Sequence, residues 1–280
     1  MRTRFVIWSL ALLVVAACTH SRKPIELSYT YSKHDASRYT LRARAEADWD
    51  IGGGGIGSYD ALYSVREVVE SVDDSGAVVE VTMTSRRVSE DNLPAPARGR
   101  TSFRLRLAPD GSVLDVLEVN GAPARALGPD ELVFIGTFRP PLPRGDVVPG
   151  DRWRASSGPD LGAVFRRVVT NGTLDEVATT PSATLAALSY AGGAPLIWTT
   201  PLAEGLAEMS GSADTRGRAI FDVERGRLNQ ARTATSGSFD VRLIPRGDGP
   251  ALRGTLDLEL ELDLRRYGWT PVDERLDLER

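Results

Sequence analysis

Strict alternation of apolar and charged side chains constrains this chain more than any other feature of its sequence. From Leu256 to Leu264, a leucine at every second position alternates with an aspartate or a glutamate. Successive side chains of a β-strand point to opposite faces, whereas a helix would spread these leucines around its axis. The segment therefore predicts a strand with one apolar face against a core and one acidic face towards water.

The same period of two recurs along most of the chain. The segments that show it are 25–31, 39–49, 77–84, 103–107, 113–119, 163–170, 184–190, 218–223, 228–234 and 239–243. Segment 59–72 fits both the strand and the helix period, and we assign it to a strand because β-branched and aromatic residues dominate it. Only segment 129–138, which starts with a proline and two acidic residues, favours a short helix. We therefore predict a mainly β fold of antiparallel curved sheets or half-barrels, with few short helices.

Glycine-rich turn signals separate these segments. The sequence Asp73 to Gly76 is typical of a hairpin turn, and we assign Asn171-Gly172 to another. The glycine run 52–57 matches the spacing of a dinucleotide-binding loop. Such a loop follows a uniformly apolar buried strand, but segment 39–49 carries arginines and acidic residues at alternate positions. We therefore predict a hairpin loop for the glycine run.

The amino terminus has the layout of a bacterial signal peptide. Two arginines precede an apolar run, 5–17, which is too short to span a membrane. A branched residue and two small residues then precede the single cysteine of the chain: Val15, Ala16, Ala17 and Cys18. This arrangement resembles a lipobox, which implies cleavage after residue 17 and acylation of Cys18 with chains such as palmitate. We therefore expect a lipoprotein of the cell envelope, attached to a membrane by its lipid.

The residue after the cysteine indicates which membrane would hold the lipid anchor. It is Thr19 and not an aspartate. By resemblance to Gram-negative lipoproteins, this favours the periplasmic face of the outer membrane if the source is Gram-negative.

The chain divides into four parts on this interpretation. They are a signal peptide (1–17), a lipidated tether (18–24), a β-rich domain (25–265) and a carboxy-terminal tail (266–280). A proline-rich step over 139–153 splits the domain into segments 25–138 and 150–265. Both segments run through strands, a glycine turn and further strands, so we predict two related halves.

Two motifs around this step resemble a family of secreted bacterial lipoproteins of unknown function. The first is Pro140-Pro141-Leu142-Pro143 leading to Pro149-Gly150-Asp151-Arg152-Trp153. The second is the hairpin Gly217-Arg218-Ala219-Ile220-Phe221-Asp222 followed by Gly226-Arg227-Leu228. The resemblance covers residues 25–265 and implies an envelope lipoprotein without implying an activity. In outline the layout is also similar to envelope lipoproteins built as open half-barrels that carry lipids.

Composition narrows the functional classes. With 34 Lys and Arg against 38 Asp and Glu, the chain lacks the basic surplus of a nucleic-acid-binding protein. His20 and His34 are its only histidines, and we expect His34 in a polar turn. We therefore predict no metal site and no cofactor, and we expect a protein that is not an enzyme. A hydrolase remains an alternative, in which acidic pairs such as Asp73-Asp74 and Glu90-Asp91 are brought together from loops.

Aromatic residues in or beside strands supply the candidate binding site. If the curved sheet is hollow, we expect an apolar groove lined by Tyr29, Tyr31, Trp49 and Trp198, suited to a lipid or another apolar ligand. If the sheet is filled, the same residues belong to the core. The chain is then a structural or protein-interaction lipoprotein with an unidentified protein partner.

Overall fold

The protein is dominated by one large antiparallel β-sheet in a computed structural model that describes residues 23–91, 93–95, 99–123, 139–157, 168–202 and 205–270. The earlier strands are β1 (Ile25–Glu26), β2 (Ala36–Trp49), β3 (Gly55–Asp73), β4 (Gly76–Glu90), β5 (Leu93–Ala95), β6 (Arg100–Leu107), β7 (Val113–Val119) and β8 (Ala122–Pro123). The later strands are β9 (Asp146–Val147), β10 (Arg152–Ser157), β11 (Val168–Thr179), β12 (Thr184–Leu202), β13 (Gly205–Asp222), β14 (Arg227–Pro245) and β15 (Leu252–Arg266).

The strands follow the chain order across the sheet, with one long-range junction. The order is β10-β11-β12-β13-β14-β15-β2-β3-β4-β6-β7-β8, with β5 beside β4 and with β1 and β9 paired separately. Neighbours are antiparallel, and the junction is formed by β15 and β2, where Leu264 stands opposite Leu41. The sheet is curved and is not closed into a barrel, which confirms the predicted mainly β antiparallel class. Strands from both predicted halves therefore share one sheet, while a duplication relating them stays a prediction.

The main core lies on one face of this sheet, which we call the inner face. Leu260, Leu262 and Leu264 of β15 point into it together with Leu41, Val65, Val79 and Leu105, all of them buried. The outer face carries the charged residues of the same strands, such as Arg42 and Asp60, which form an ion pair with 2.6 Å between Nη2 and Oδ2. The alternation in the sequence thus predicts correctly which side chains face inwards. Among the described residues, the buried side chains of the main core run from Leu27 to Leu264, so a chain that starts at Thr19 contains them.

One end of the inner face, the core end, is filled by two extended segments of the chain. The core end is where β2 begins at Ala36 and β15 ends at Arg266. Segments 27–31 and 139–147 lie across it, and they bury Leu27, Tyr29 and Leu142. Segment 25–31 was predicted as a strand, but only Ile25–Glu26 belongs to one. The amide of Tyr29 instead donates to the carbonyl of Pro109, and that of Thr30 to Gly226, both in turns between other strands. The alternation of buried and exposed residues is as predicted, but Tyr29 and Thr30 donate their backbone hydrogen bonds to turns and not to a neighbouring strand.

The structure confirms some of the predicted strands and turns and contradicts others. Segment 59–72 lies within β3, as predicted. The hairpin loop predicted for the glycine run 52–57 is confirmed for Gly52 to Gly54, which follow β2 with a short 3-10 helix, Ile51–Gly53, whereas Gly55 to Gly57 already belong to β3. The prediction of a turn at Asn171-Gly172 is wrong, because both residues lie inside β11. A Cβ atom on Gly172 would stand 2.3 Å from Cε2 of Trp153, so that position needs glycine for the neighbouring indole. The predicted helix 129–138 lies outside the described residues.

The carboxy-terminal tail begins by packing onto the outer face. Trp269 contacts a second, smaller cluster of buried side chains on that face, formed by Ala183, Leu185, Ala187 and Ile220. The predicted start of the tail at residue 266 coincides with the last residue of β15. Residues 271–280 lie outside the described part of the chain.

Candidate functional site

The inner face continues beyond the core end towards the opposite end of the sheet, where β2 ends at Trp49. We call this part of the inner face the apolar floor. Cross-strand pairing makes it continuous, because Leu256 stands opposite both Trp49 and Phe239, and Phe239 stands opposite Gly211. Its described members are Ala45, Ala47, Trp49, Gly55, Gly57, Leu196, Met209, Gly211, Ala213, Thr215, Thr235, Gly237, Phe239, Val241, Leu256 and Leu258.

The apolar floor carries no charge on any of these side chains. Its polar groups are threonine hydroxyls, such as those of Thr215 and Thr235, which bond each other with 2.9 Å between their oxygens. Phe239 and Val241 are buried, whereas Ala47, Trp49 and Leu258 are half-buried. Partly exposed apolar side chains that run together across neighbouring strands form a surface suited to an apolar ligand.

Aromatic rings lie flat on this face over glycines. A Cβ atom on Gly55 would stand 2.6 Å from Cζ2 of Trp49, and one on Gly237 would stand 2.7 Å from Cζ of Phe239. Nearer the core end, a Cβ atom on Gly217 would stand 2.2 Å from Cζ of Tyr190. Glycine therefore lets each ring rest on the backbone of its own or the next strand. Rings that lie along the sheet form a thin layer on it, whereas rings that stand upright would fill the space above the inner face.

A polar cluster occupies the core end instead. Arg139 forms an ion pair with Glu67, with 2.7 Å between Nη2 and Oε2, and both side chains are only 13% exposed. The guanidinium of Arg139 lies 4.7 Å from the ring centre of Tyr29 and 6.0 Å from that of Tyr31. Tyr29 also meets Phe221 edge to face, with 5.2 Å between ring centres. This cluster ties segments 27–31 and 139–147 to β3. The sequence analysis missed it because Glu67 and Arg139 are 72 residues apart in the chain and form no local motif.

Burial changes the acidity of these tyrosines. It raises the pKa of Tyr31 to about 12 and raises that of Tyr29 well above its usual value. The Tyr29 hydroxyl is buried beside a cavity of about 40 Å³, and no described residue forms a hydrogen bond with it. That volume has room for water-sized molecules only, so the core end is a structural cluster and not a ligand pocket.

The four aromatic residues predicted to line one groove are not together. Trp49 lies on the apolar floor. Tyr29 and Tyr31 lie in the core end, where Tyr29 is only 4% exposed, so we remove both from the groove. Trp198 lies in β12 opposite Met209 of β13, and this register places it on the inner face. Its side chain lies outside the described part of the chain. Cys18 and the residues before it, Val15 to Ala17, also lie outside the described residues.

Two of the four acidic residues considered for a hydrolase, Asp73 and Asp91, have separate structural partners. The carboxylate of Asp73 accepts hydrogen bonds from Ser75 and pairs with Arg106, and these interactions hold the pKa of Asp73 below its usual value. Asp91 accepts the backbone N–H of Ser58 at 2.8 Å, close to the loop that joins β4 to β5. Within the described ranges, no group of three or more His, Cys, Asp or Glu residues could hold a metal ion. His34 lies exposed in a turn, as predicted.

Comparisons with known proteins identify a distant structural likeness. No protein-family model matches the sequence, and no curated protein matches it. Among solved structures, the chain is similar to one that describes lipid–protein interactions in lipovitellin, with a TM-score of 0.47 and 10% sequence identity over 88% of this chain. The chain spans 26% of that lipovitellin chain. At this level of similarity, neither function nor ligand is transferred. In the described ranges, no helix has the length and hydrophobicity needed to cross a membrane.

Proposed function

We propose that this protein is a lipid-anchored protein of the bacterial envelope that binds an apolar ligand, such as the acyl chain of a lipid, without catalysis. The observation that carries the proposal is the apolar floor, an uncharged surface that crosses β12 to β15, β2 and β3. An acyl chain needs contact with apolar surface and few polar groups, whereas sugars and nucleotides need several directional hydrogen bonds.

Two features of the floor favour a flexible, elongated ligand. Its rings lie flat over glycines, so the surface is smooth along several strands. Its residues are alanine, glycine, leucine and threonine as well as aromatics, which leaves the surface shallow between the larger side chains. A chain of methylene groups gains about 0.8 kcal/mol for each group that leaves water, and no fixed geometry is needed for that gain.

The anchor belongs to the same proposal. Val15 to Ala17 before Cys18 resemble a lipobox, and the only cysteine stands at the position that would be acylated. Two or more acyl chains would hold the protein at a membrane, the outer membrane in a Gram-negative cell, where lipids are available as ligands. The resemblance to secreted lipoproteins of unknown function supports the same location.

The anchor is tested with Cys18→Ala in the full chain. We expect this variant to leave an uncleaved precursor or to move the protein out of the membrane fraction. Intact mass and membrane extraction are the measurements, and Ser9→Ala in the signal segment is the control that keeps the lipobox. Unchanged mass and extraction for Cys18→Ala would contradict acylation.

Ligand binding is tested on the chain that starts at Thr19, exported to a bacterial periplasm and purified without detergent. Native mass spectrometry should show discrete adducts with the masses of fatty acids or phospholipids. A protein free of adducts, which also fails to bind a dansyl-labelled fatty acid, would contradict the proposal. The structural lipoprotein that binds a protein partner would then replace it.

A pair of variants locates the ligand. Leu258→Asp places a carboxylate on the apolar floor, whereas Ala234→Asp places one at an exposed position on the outer face of β14. Because a charge beside an acyl chain has to lose water, we expect Leu258→Asp to weaken binding of the labelled fatty acid about tenfold or more. Ala234→Asp should leave it unchanged. Leu258→Ser, which adds no charge, checks that any loss does not come from misfolding.

A further inference from the structure

A depression on the outer face collects positive charge. It has a volume of about 540 Å³ and lies over β2, β3 and β4, near the core end of the sheet. Four arginines line it, and we call it the arginine site: Arg38, Arg66, Arg86 and Arg100. All four side chains are exposed to solvent.

Elsewhere on the outer face, several arginines are paired with carboxylates. Arg232 pairs with Asp263 at 3.0 Å, and Arg242 pairs with Glu208 at 3.2 Å. In the arginine site, only Arg100 has such a partner, Glu80 at 3.6 Å. In the described part of the chain, neither Arg38 nor Arg66 forms an ion pair, and the Nε atom of Arg86 donates to the hydroxyl of Ser64 at 2.7 Å. The site therefore keeps most of its positive charge.

Strand register concentrates this charge further. Arg38 and Arg66 stand directly opposite each other on β2 and β3. Like charges in directly opposed positions destabilise a sheet, so this pair costs stability when nothing lies between the two guanidinium groups. An anion that bridges them would remove the repulsion. Two other arginine pairs are also directly opposed, Arg218 with Arg232 and Arg242 with Arg253, but there Arg232 and Arg242 each have a carboxylate partner.

Neutral hydrogen-bond donors surround the same depression. The hydroxyl groups of Thr40, Ser64, Thr82 and Thr84 line it between the arginines. Tyr267 stands at its rim with its side chain 78% exposed, held there by a hydrogen bond of 2.8 Å from its backbone N–H to the carbonyl of Arg38. Guanidinium groups together with hydroxyl groups match the several oxygens of a phosphate, which accept many hydrogen bonds at once.

We propose that the arginine site binds a phosphate-bearing anion. The guanidinium groups of Arg38 and Arg66 take the phosphate oxygens from two sides, and the hydroxyl groups between them complete the coordination. A volume of about 540 Å³ falls within the usual range for small-ligand sites, so a phosphate ester with an attached group fits better than a lone ion. The inference does not depend on the apolar floor or on the anchor, because it concerns the opposite face of the sheet.

Two sources can supply this chemistry, and the experiment separates them. The chain that starts at Thr19 is used, so that no lipid anchor contributes. Pyrophosphate represents a soluble ligand, and vesicles of phosphatidylglycerol with phosphatidylcholine represent a membrane surface. The melting temperature is measured with pyrophosphate against sodium chloride of equal ionic strength, since a ligand that binds only the folded state raises it. Vesicle binding is measured by co-sedimentation, with pure phosphatidylcholine vesicles as the control.

The variants are matched in charge. Arg38→Gln/Arg66→Gln removes two charges from the site, and Arg232→Gln/Arg242→Gln removes two from the same face outside it. We expect the first double variant to bind pyrophosphate or the anionic vesicles about tenfold more weakly, because each arginine contributes charge-assisted hydrogen bonds. The second should bind as the unchanged protein does.

Each result bears on the inference. Arginine-dependent binding of pyrophosphate without vesicle binding identifies a soluble ligand, and arginine-dependent vesicle binding identifies lipid headgroups. Equal losses in the two double variants would show a general effect of net charge and would overturn the site. The absence of any pyrophosphate-specific shift, together with the absence of vesicle binding, would overturn it as well.

Discussion

The ion pair between Arg139 and Glu67 should be among the most sensitive points of the fold. Glu67→Gln removes the carboxylate but keeps the shape of the side chain. Arg139 then stays against Tyr29 and Tyr31, only 13% exposed, without the partner that balances its charge. Removing one member of a buried pair leaves an uncompensated charge, which costs about 3–5 kcal/mol. Because some solvent reaches both side chains, we expect a loss near the lower limit, about 3 kcal/mol.

The Coulomb attraction supports this magnitude. Two unit charges 2.7 Å apart, the distance between Nη2 and Oε2, attract each other by about 6 kcal/mol at an effective dielectric constant of about 20. The glutamine amide oxygen still accepts a hydrogen bond from Arg139, so only part of that attraction is lost. Because the guanidinium is buried, water does not replace the attraction that is lost. The loss therefore lowers the free energy of unfolding.

Urea unfolding followed by circular dichroism at neutral pH measures the effect. Glu70→Gln is the matched control, because Arg104 pairs with Glu70 at the same 2.7 Å distance on the same strand but in solvent. Arg104 also keeps Glu118 at 2.9 Å, so we expect no measurable change in this control. Glu67→Met/Arg139→Met should recover most of the loss, since it removes both charges. A loss below about 1 kcal/mol for Glu67→Gln would refute the reasoning.

Three further predictions concern the core and its surroundings. Trp153→Ala should lower the free energy of unfolding by about 3 kcal/mol, because the indole covers Gly172 and donates to the carbonyl of Pro141 at 3.0 Å; an unchanged urea midpoint would contradict this. Gln230→Met should raise that free energy by about 1 kcal/mol, since both polar side-chain atoms of Gln230 are buried without a partner among the described residues; a loss of stability would indicate a polar partner, such as a bound water. Burial raises the pKa of Tyr190 from 10.0 to about 12, so the unfolded chain ionises first and stability should fall as pH rises from 10 towards 12. Tyr190→Phe should reduce that fall in urea midpoints measured at about pH 9 and about pH 11, and an equal fall in both proteins would argue against it.

The alternation of residue types made much of the fold predictable. In β15 and β2, leucines and alanines at every second position identify the inner face, and the structure buries or half-buries the same side chains. The inner position of Trp49 follows from this pattern. The period of two is a property of neighbouring residues along one strand, so the inner face of a strand can be predicted without knowledge of the rest of the molecule.

Strand lengths were harder to predict than strand positions. The sequence pattern indicates 184–190 and 218–223, whereas β12 and β13 extend over Thr184–Leu202 and Gly205–Asp222. Glycines within them, such as Gly211 and Gly217, suggest loops when read locally. In the structure each of these glycines lies under an aromatic ring from a neighbouring strand, and long pairing partners keep the strands extended.

The sequence by itself determined where most strands lie and which face of most strands is apolar, because both depend on local alternation. Only the tertiary structure decided that β15 pairs with β2, that Glu67 meets Arg139, and that Arg38 stands opposite Arg66. It also separated Tyr29, in the filled core end, from Trp49, on the apolar floor. These relations join residues that are distant in the chain or on different strands. They depend on register and strand order, which are selected by the packing of the whole sheet and not by any one segment.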